Sequence, residues 1–149
     1  AEALMIRGDV VDIEAQVSDL LKEVGLEASD AEKYPGSFSG GQRQRIVLAR
    51  ALAIEPEFLV LDESVAALDL RIQAEILDLL SKIQKKRDLA FLFISHDLTV
   101  IEAICDRVLI MKKGEIVEEG KTQELFSNPK NPYTKRLLES RPGLQEIRN

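Results

Sequence analysis

Cysteine occurs once, at Cys105, and histidine once, at His96. One cysteine closes no disulfide within the chain, and neither residue is numerous enough for a multi-cysteine or multi-histidine metal site. No apolar run approaches the roughly 18 residues of a membrane span, so no direct span is expected. No secretory leader pattern is visible. The chain begins at Ala1 without an initiator Met, as a processed protein or an excised segment would. A basic surplus is also missing. Lys and Arg total 20 against 26 Asp and Glu, a formal charge of −6. A general nucleic-acid binder carries a basic face, so no nucleic-acid partner is expected. Phosphate binding through backbone N–H groups needs no such surplus. The phosphate-binding loop G-x-x-x-x-G-K-[ST] is absent. Gly120-Lys121-Thr122 mimics its end, but five residues separate Gly114 from Gly120, and the intervening stretch is acidic and strand-like.

What is present is one domain's worth of globular chain: 149 residues, 45% apolar and 31% charged. Ile13, Val17, Leu20, Leu21 and Val24 share one helical face, and Gly25 is a plausible stop. The polar stretch from Glu27 to Tyr34, ending at Pro35-Gly36, reads as a loop. Ser39 and Gln42 have the spacing of a capping box that opens a helix, which Pro56 ends. Phe58–Leu61 and Leu89–Ile94 are apolar at every position, the pattern of parallel strands buried on both faces. Between them Ile72, Ile76, Leu79, Leu80 and Ile83 keep helical spacing, which makes a strand–helix–strand crossover of the α/β type. A short helix over 98–104, a hairpin around Lys113-Gly114 and two small helices complete the reading. Thr122 is the expected cap of the first of these helices, and Asn131 before Pro132 of the second. The organisation expected is a helical portion over 1–55, an α/β portion over 56–127 and a helical extension over 128–149.

In open parallel sheets, ligands bind beyond the carboxyl ends of the strands. Asp62 and Glu63 end one strand; Ser95 and His96 end the other. Two adjacent carboxylates are costly to bury without compensation. A Mg²⁺ ion, which takes oxygen ligands, supplies it, and the neighbouring acid can then deprotonate a water. An acidic turn on a solvated edge is the alternative, and a merely structural histidine is the alternative for His96. Ser39-Gly40-Gly41-Gln42 forms an anion-binding helix end, the glycines letting a ligand approach the backbone. A capped helix after a glycine turn is the alternative there, and a Ser39 hydroxyl spent on the cap is less available to phosphate. Lys82, Lys85, Lys86 and Arg87 read as a solvated helix end, and Cys105 as a core residue.

Together these residues resemble the ATP-binding subunits of ABC transporters. Phe38-Ser39-Gly40-Gly41-Gln42 resembles their signature sequence, with Phe38 in place of leucine. Phe58 to Glu63 resembles their Walker B strand, Ala67-Leu68-Asp69 the D-loop and Ile94-Ser95-His96-Asp97 the switch-histidine loop. Order and spacing agree over nearly the whole chain. Tyr34-Pro35 and the run from Asn128 to Thr134 are similar to the oligopeptide, dipeptide and nickel importer branch, which usually has histidine where Asn131 stands.

The resemblance implies a partial P-loop-NTPase-like fold, with a helical subdomain, a mostly parallel sheet with flanking helices, and a C-terminal hairpin. It implies ATP and Mg²⁺ as cofactors, and hydrolysis at the interface with a second ATP-binding subunit, in a homo- or heterodimer. Ser39, Gly40, Gly41 and Gln42 would contact the γ-phosphate held by that partner. Asp62 would hold Mg²⁺ through water, Glu63 would be the general base, His96 would sense the γ-phosphate and Asp69 would couple the two sites. Membrane permease subunits would dock near the helical subdomain. The place implied is cytoplasmic, peripheral on the inner face of the membrane, and the work powered is import of peptides or similar solutes. The family's lysine loop, Q-loop and adenine-stacking aromatic have no counterpart in this sequence, so the chain alone is expected not to hydrolyse ATP and to expose apolar surface. Ser64 stands where proline is usual and Ala66 where serine is usual. Two other classes share some of these features: a non-catalytic interaction module, and a signature-bearing DNA-repair or chromosome ATPase.

Overall fold

A computed structural model describes residues 2–7 and 12–141. The chain divides into two compact units, Ala1–Ile94 and Ser95–Asn149; the change of character at Pro56 lies inside the first.

The first unit begins with α1 (Glu2–Arg7) and α2 (Ile13–Glu23). Asp12 caps α2 by accepting from the Ala15 N–H at 3.0 Å. The helix ends at Val24, and Gly25 follows at φ +74°, a left-handed conformation that glycine enters without steric cost. The polar stretch expected as a loop contains short 3₁₀ turns at Ala28–Glu32 and Pro35–Ser37. The buried Asp30 orders the first of them. Its carboxylate accepts from the Glu27 N–H at 3.0 Å and from Lys33 Nζ at 2.6 Å, and the Lys33 bond, ahead of the Glu27 bond, holds it below the usual carboxylate range.

Helix α3 (Gly40–Leu52) packs on α2 and on α4 (Leu70–Arg87). Leu21, Leu48, Leu52, Ile76 and Leu80 are buried in this unit. Strands β1 (Phe58–Asp62) and β2 (Ala90–Ile94) flank α4 in sequence and pair in parallel, in register from Phe58 with Ala90 to Asp62 with Ile94. The crossover is as expected. The two-sided burial is not. Leu59 is buried and Leu61, Phe91 and Phe93 are half-buried, but Phe58, Val60, Leu92 and Ile94 are exposed. Side chains alternate across a strand, so these four share one face of the pair, and no described element covers it.

The second unit starts with α5 (Leu98–Ile104), capped by Asp97 through the Thr99 N–H at 2.9 Å. Strands β3 (Arg107–Lys112) and β4 (Glu115–Lys121) form the antiparallel hairpin. Lys113 and Gly114, at φ +51° and +84°, form its turn, whose twist suits a tight hairpin. Helices α6 (Thr122–Ser127) and α7 (Pro132–Glu139) follow.

Thr122 does not cap α6. The strand runs straight into the helix with Lys121 at the cap position, and the buried Thr122 hydroxyl donates to the Cys105 carbonyl at 2.6 Å. Asn131 does cap α7, accepting from the Tyr133 N–H at 2.8 Å, while its amide donates to the Val117 carbonyl at 3.1 Å. Glu118 on β4 accepts from the backbone N–H groups of Lys130 and Asn131 at 2.7 and 3.1 Å. Cys105 is half-buried rather than in the core, and burial, then Asp106, pushes its thiol up. Residues 142–149 of the expected C-terminal extension lie outside the described residues.

Candidate functional site: the ends of α3, β1 and α4

The capping box at the start of α3 is complete. Ser39 Oγ accepts from the Gln42 N–H at 3.2 Å, and Gln42 Oε1 accepts from the Ser39 N–H at 3.0 Å. The cap therefore does not exhaust the polar groups of Ser39 and Gln42. A hydroxyl has one donor and two acceptor sites. The cap uses an acceptor of Ser39 and leaves its O–H, just as it uses the carbonyl of Gln42 and leaves the NH₂. The N–H groups of Gly40 and Gly41, in the first turn, have no intrahelical acceptor. Hydroxyl, amide and backbone donors thus cluster at the positive end of a helix dipole, and an oxyanion is their natural acceptor. Arg43 secures the entry by donating to the carbonyl of the buried Phe38 at 2.9 Å.

The two glycines do different work. Gly40 is exposed, and a methyl group there would sit 3.5 Å from Leu68 Cδ2, an ordinary contact. Gly41 is buried, and a methyl group there would stand 2.5 Å from Ile72 Cγ2. Gly41 is small because α4 lies against it. The start of α3 therefore lies beside the start of α4, where Asp69 is the N-cap and accepts from the Ile72 N–H at 3.0 Å. Asp69 has a local structural duty that the sequence reading did not assign.

Asp62 and Glu63 are exposed at the carboxyl end of the parallel pair. The Glu63 N–H donates to the Ile94 carbonyl at 2.9 Å and its carbonyl accepts from the Ala66 N–H at 3.2 Å. Glu63 holds φ +47°, an uncommon conformation for a residue with a side chain. Such strain persists only where surrounding bonds impose it, and it concentrates at functional positions. Next to it, Ser64 Oγ is buried without a hydrogen-bond partner among the described residues. His96 is exposed and opens the second unit, in a loop held by the Asp97 N–H on Ser95 Oγ at 3.0 Å.

Among the described residues, no three His, Cys, Asp or Glu side chains are grouped to hold a metal. An ion such as Mg²⁺ takes one or two protein carboxylates and completes its shell with phosphates and waters. Two adjacent exposed carboxylates at a strand end fit that share.

The partners of three cations, Arg87, Lys86 and Arg45, were not legible in the sequence. Arg87, read as solvated, pairs with Glu23 at 2.5 Å and also donates to the Leu52 carbonyl at 3.3 Å, joining α4 to α2 and to the end of α3. Lys86 adds a second bond to Glu23 at 3.0 Å. Arg45, within the helix that follows the Gly40-Gly41 turn, donates to the Val24 carbonyl at 2.8 Å and to Glu75 at 3.5 Å. Its only sequence signal is a cation on the inner side of an amphipathic helix.

The fold is that of an ABC ATPase domain. Residues 2–66 match the ABC transporter family, and residues 117–149 match the oligopeptide/dipeptide transporter C-terminal region. The chain belongs to the ABC transporter family, on its oligopeptide/dipeptide branch. It is 49% identical over 127 residues to the oligopeptide transport ATP-binding protein OppF of Bacillus subtilis, covering 85% of this chain and 42% of that protein. It is 50% identical over 129 residues to the glutathione import ATP-binding protein GsiA of Pectobacterium atrosepticum, covering 87% of this chain and 21% of that protein. The chain thus spans less than half the length of these curated relatives. Its fold matches the crystal structure of an ATP-binding cassette of an ABC transporter in its ADP conformation, with a TM-score of 0.72 at 23% identity, over 85% of this chain and 50% of that one. No described helix is long and apolar enough to cross a membrane.

Proposed function

We propose that this chain supplies the signature end and the water-activating acid of an ATP-binding subunit that drives solute import. The observation that carries the reading is the donor cluster at the start of α3. Its capping box organises Ser39, Gly40, Gly41 and Gln42 without consuming their outward donors, which suits the γ-phosphate of an ATP held by a second ATP-binding subunit. Mg²⁺ supplies charge neutralisation for the transferred phosphoryl group. Asp62 would hold that ion through water. Glu63, one residue on and held in a fixed turn, accepts the proton of the attacking water. His96 senses the γ-phosphate, and Asp69, seated at the start of α4 beside Gly41, links the two nucleotide sites.

The sequence contains no lysine loop of the G-x-x-x-x-G-K-[ST] type. The chain by itself is therefore inactive, and nucleotide is held by a segment that bears such a loop. The partners are a second ATP-binding subunit and membrane permeases, at the cytoplasmic face of the membrane, with the helical portion toward the permease. The cargo is a peptide or a similar solute. Relatives of 49% and 50% identity carry names with different cargo, oligopeptide and glutathione, so these residues do not select it.

Joined to a P-loop-bearing ATP-binding segment, the chain is expected to show Mg²⁺-dependent ATPase activity that Glu63→Gln lowers by about 10²-fold or more, the scale of general-base catalysis. Activity unchanged by that substitution would overturn the assignment. The same test covers a non-catalytic module, which would give no activity in either form.

A further inference from the structure

We propose that Arg45 is a positioning residue for the donor cluster at Ser39–Gln42, holding α3 at one rotation against α4 and α2. This rests on the reading of that helix end as a phosphate site.

The Arg45 side chain is 18% exposed. One nitrogen donates to the carbonyl of Val24, the C-cap of α2, at 2.8 Å. The last carbonyls of a helix lack intrahelical donors and carry the negative end of its dipole, so a guanidinium suits them twice over. Another nitrogen of the same fork reaches Glu75 Oε2 at 3.5 Å. A planar fork aims separate nitrogens at two partners in fixed directions, which the compact, rotatable ammonium of lysine does not.

The placement on α4 gives this its consequence. Residues three or four apart share a helix face. Gly41 and Arg45 are so related on α3, and Ile72 and Glu75 on α4. Gly41 on Ile72 and Arg45 on Glu75 are therefore two contacts between the same two faces. One contact alone lets α3 roll about its axis, carrying the Ser39, Gly40 and Gly41 donors with it; two contacts fix the roll.

Gly25 supports the same arrangement. Besides its left-handed backbone, a methyl group there would lie 2.7 Å from Arg45 Nη1. Gly25 thus leaves the passage through which Arg45 reaches Val24.

The test is residue-resolved amide hydrogen exchange by NMR on the chain itself, in Arg45→Gln, Arg45→Lys and the control Arg71→Gln. Arg71 also pairs with Glu75, at 3.3 Å, but is exposed on α4 and, among the described residues, bonds to neither α2 nor α3. Arg45→Gln is expected to speed exchange at the Gln42 amide, the one held by Ser39, by about tenfold or more. Arg45→Lys should give a smaller rise and Arg71→Gln none, with Leu80 in mid-α4 unchanged in all three. Unchanged Gln42 exchange in both Arg45 variants would overturn the proposal. So would a uniform rise that includes Leu80, because that reports general loosening. This readout needs no nucleotide, so it stands or falls separately from the ATPase measurement on the joined protein.

Discussion

Gly41 meets Ile72 backbone-first: a β-carbon on the glycine would lie 2.5 Å from the isoleucine Cγ2, well inside van der Waals contact. The helix bearing the donor cluster is therefore seated on α4 by an absence of side chain. Overpacking a tight contact costs about 1–3 kcal/mol. Gly41→Ala should destabilise the chain by that amount in urea denaturation. Gly40→Ala, which meets Leu68 at an ordinary 3.5 Å, should stay within about 0.5 kcal/mol, the usual range for a surface change. Trimming Ile72 to Ala should make Gly41→Ala much cheaper in a double-mutant cycle. Equal costs at both glycines would contradict the packing role.

Ser64 is the second position where local chemistry and packing disagree. Its hydroxyl is buried and has no partner among the described residues. Removing an unsatisfied buried polar group is worth about 1 kcal/mol. Ser64→Ala is expected to raise the denaturation midpoint correspondingly. A loss of stability would show that the hydroxyl is satisfied in solution.

The Glu23–Arg87 pair makes stability depend on pH. The Arg87 hydrogen bond is the largest influence on Glu23; it outweighs burial, and with Lys86 it holds the carboxyl below its ordinary value of 4.5. A carboxyl depressed in the folded state binds its proton more weakly there than in the unfolded chain. Its contribution is therefore full above pH 4.5 and fades as pH falls through the folded value. Glu23→Gln should cost about 1–2 kcal/mol at pH 7, and progressively less as the pH falls below 4.5. Asp30 and Glu118 are also depressed, so the quantity to read is the difference between wild type and Glu23→Gln across the titration. A difference that does not change with pH would rule out the pair as its source.

The cap of α7 offers a local test. Asn131 holds the Tyr133 N–H and donates to Val117 on β4. Losing a side-chain cap costs about 1 kcal/mol. In Asn131→Ala, tryptic cleavage after Lys135 or Arg136 should quicken several-fold, while cleavage in α4 keeps its rate. Unaltered cleavage would mean that Glu118, through the Lys130 and Asn131 N–H groups, secures the segment alone.

Phe58 and Val60, 54% and 56% exposed, adjoin Leu92 and Ile94 on the open face of the parallel pair. Contiguous apolar surface of this kind promotes association. Sedimentation of the isolated chain should show self-association that Val60→Glu with Leu92→Glu reduces. A monomer at high concentration without those substitutions would count against it.

The sequence was most informative where a short-range rule operates. The spacing of Ser39 and Gln42 was enough for a capping box, because both bonds close within one helical turn. The apolar runs at Phe58 and Leu89 and the period from Ile72 to Ile83 were enough for the crossover. Thr122 misled because a threonine before a helix resembles a cap, and only the arrival of β4 at Lys121 shows that the helix has already begun. Arg87 misled because a cation ending a helix is usually solvated, and its acceptors, Glu23 and the Leu52 carbonyl, are distant in sequence.

By itself, the sequence determined the order of most elements, the caps at Ser39 and Asn131, the hairpin turn at Lys113-Gly114, and which residue types stand at the strand and helix ends. These depend on backbone sterics and on hydrogen bonds between near neighbours. Tertiary structure alone decided that Gly41 is buried on Ile72, that Arg45 reaches both Val24 and Glu75, and that one face of the parallel pair stands open. Those outcomes depend on how helices far apart in the chain lie against one another, and residue spacing along a single helix carries no information about its neighbour's position.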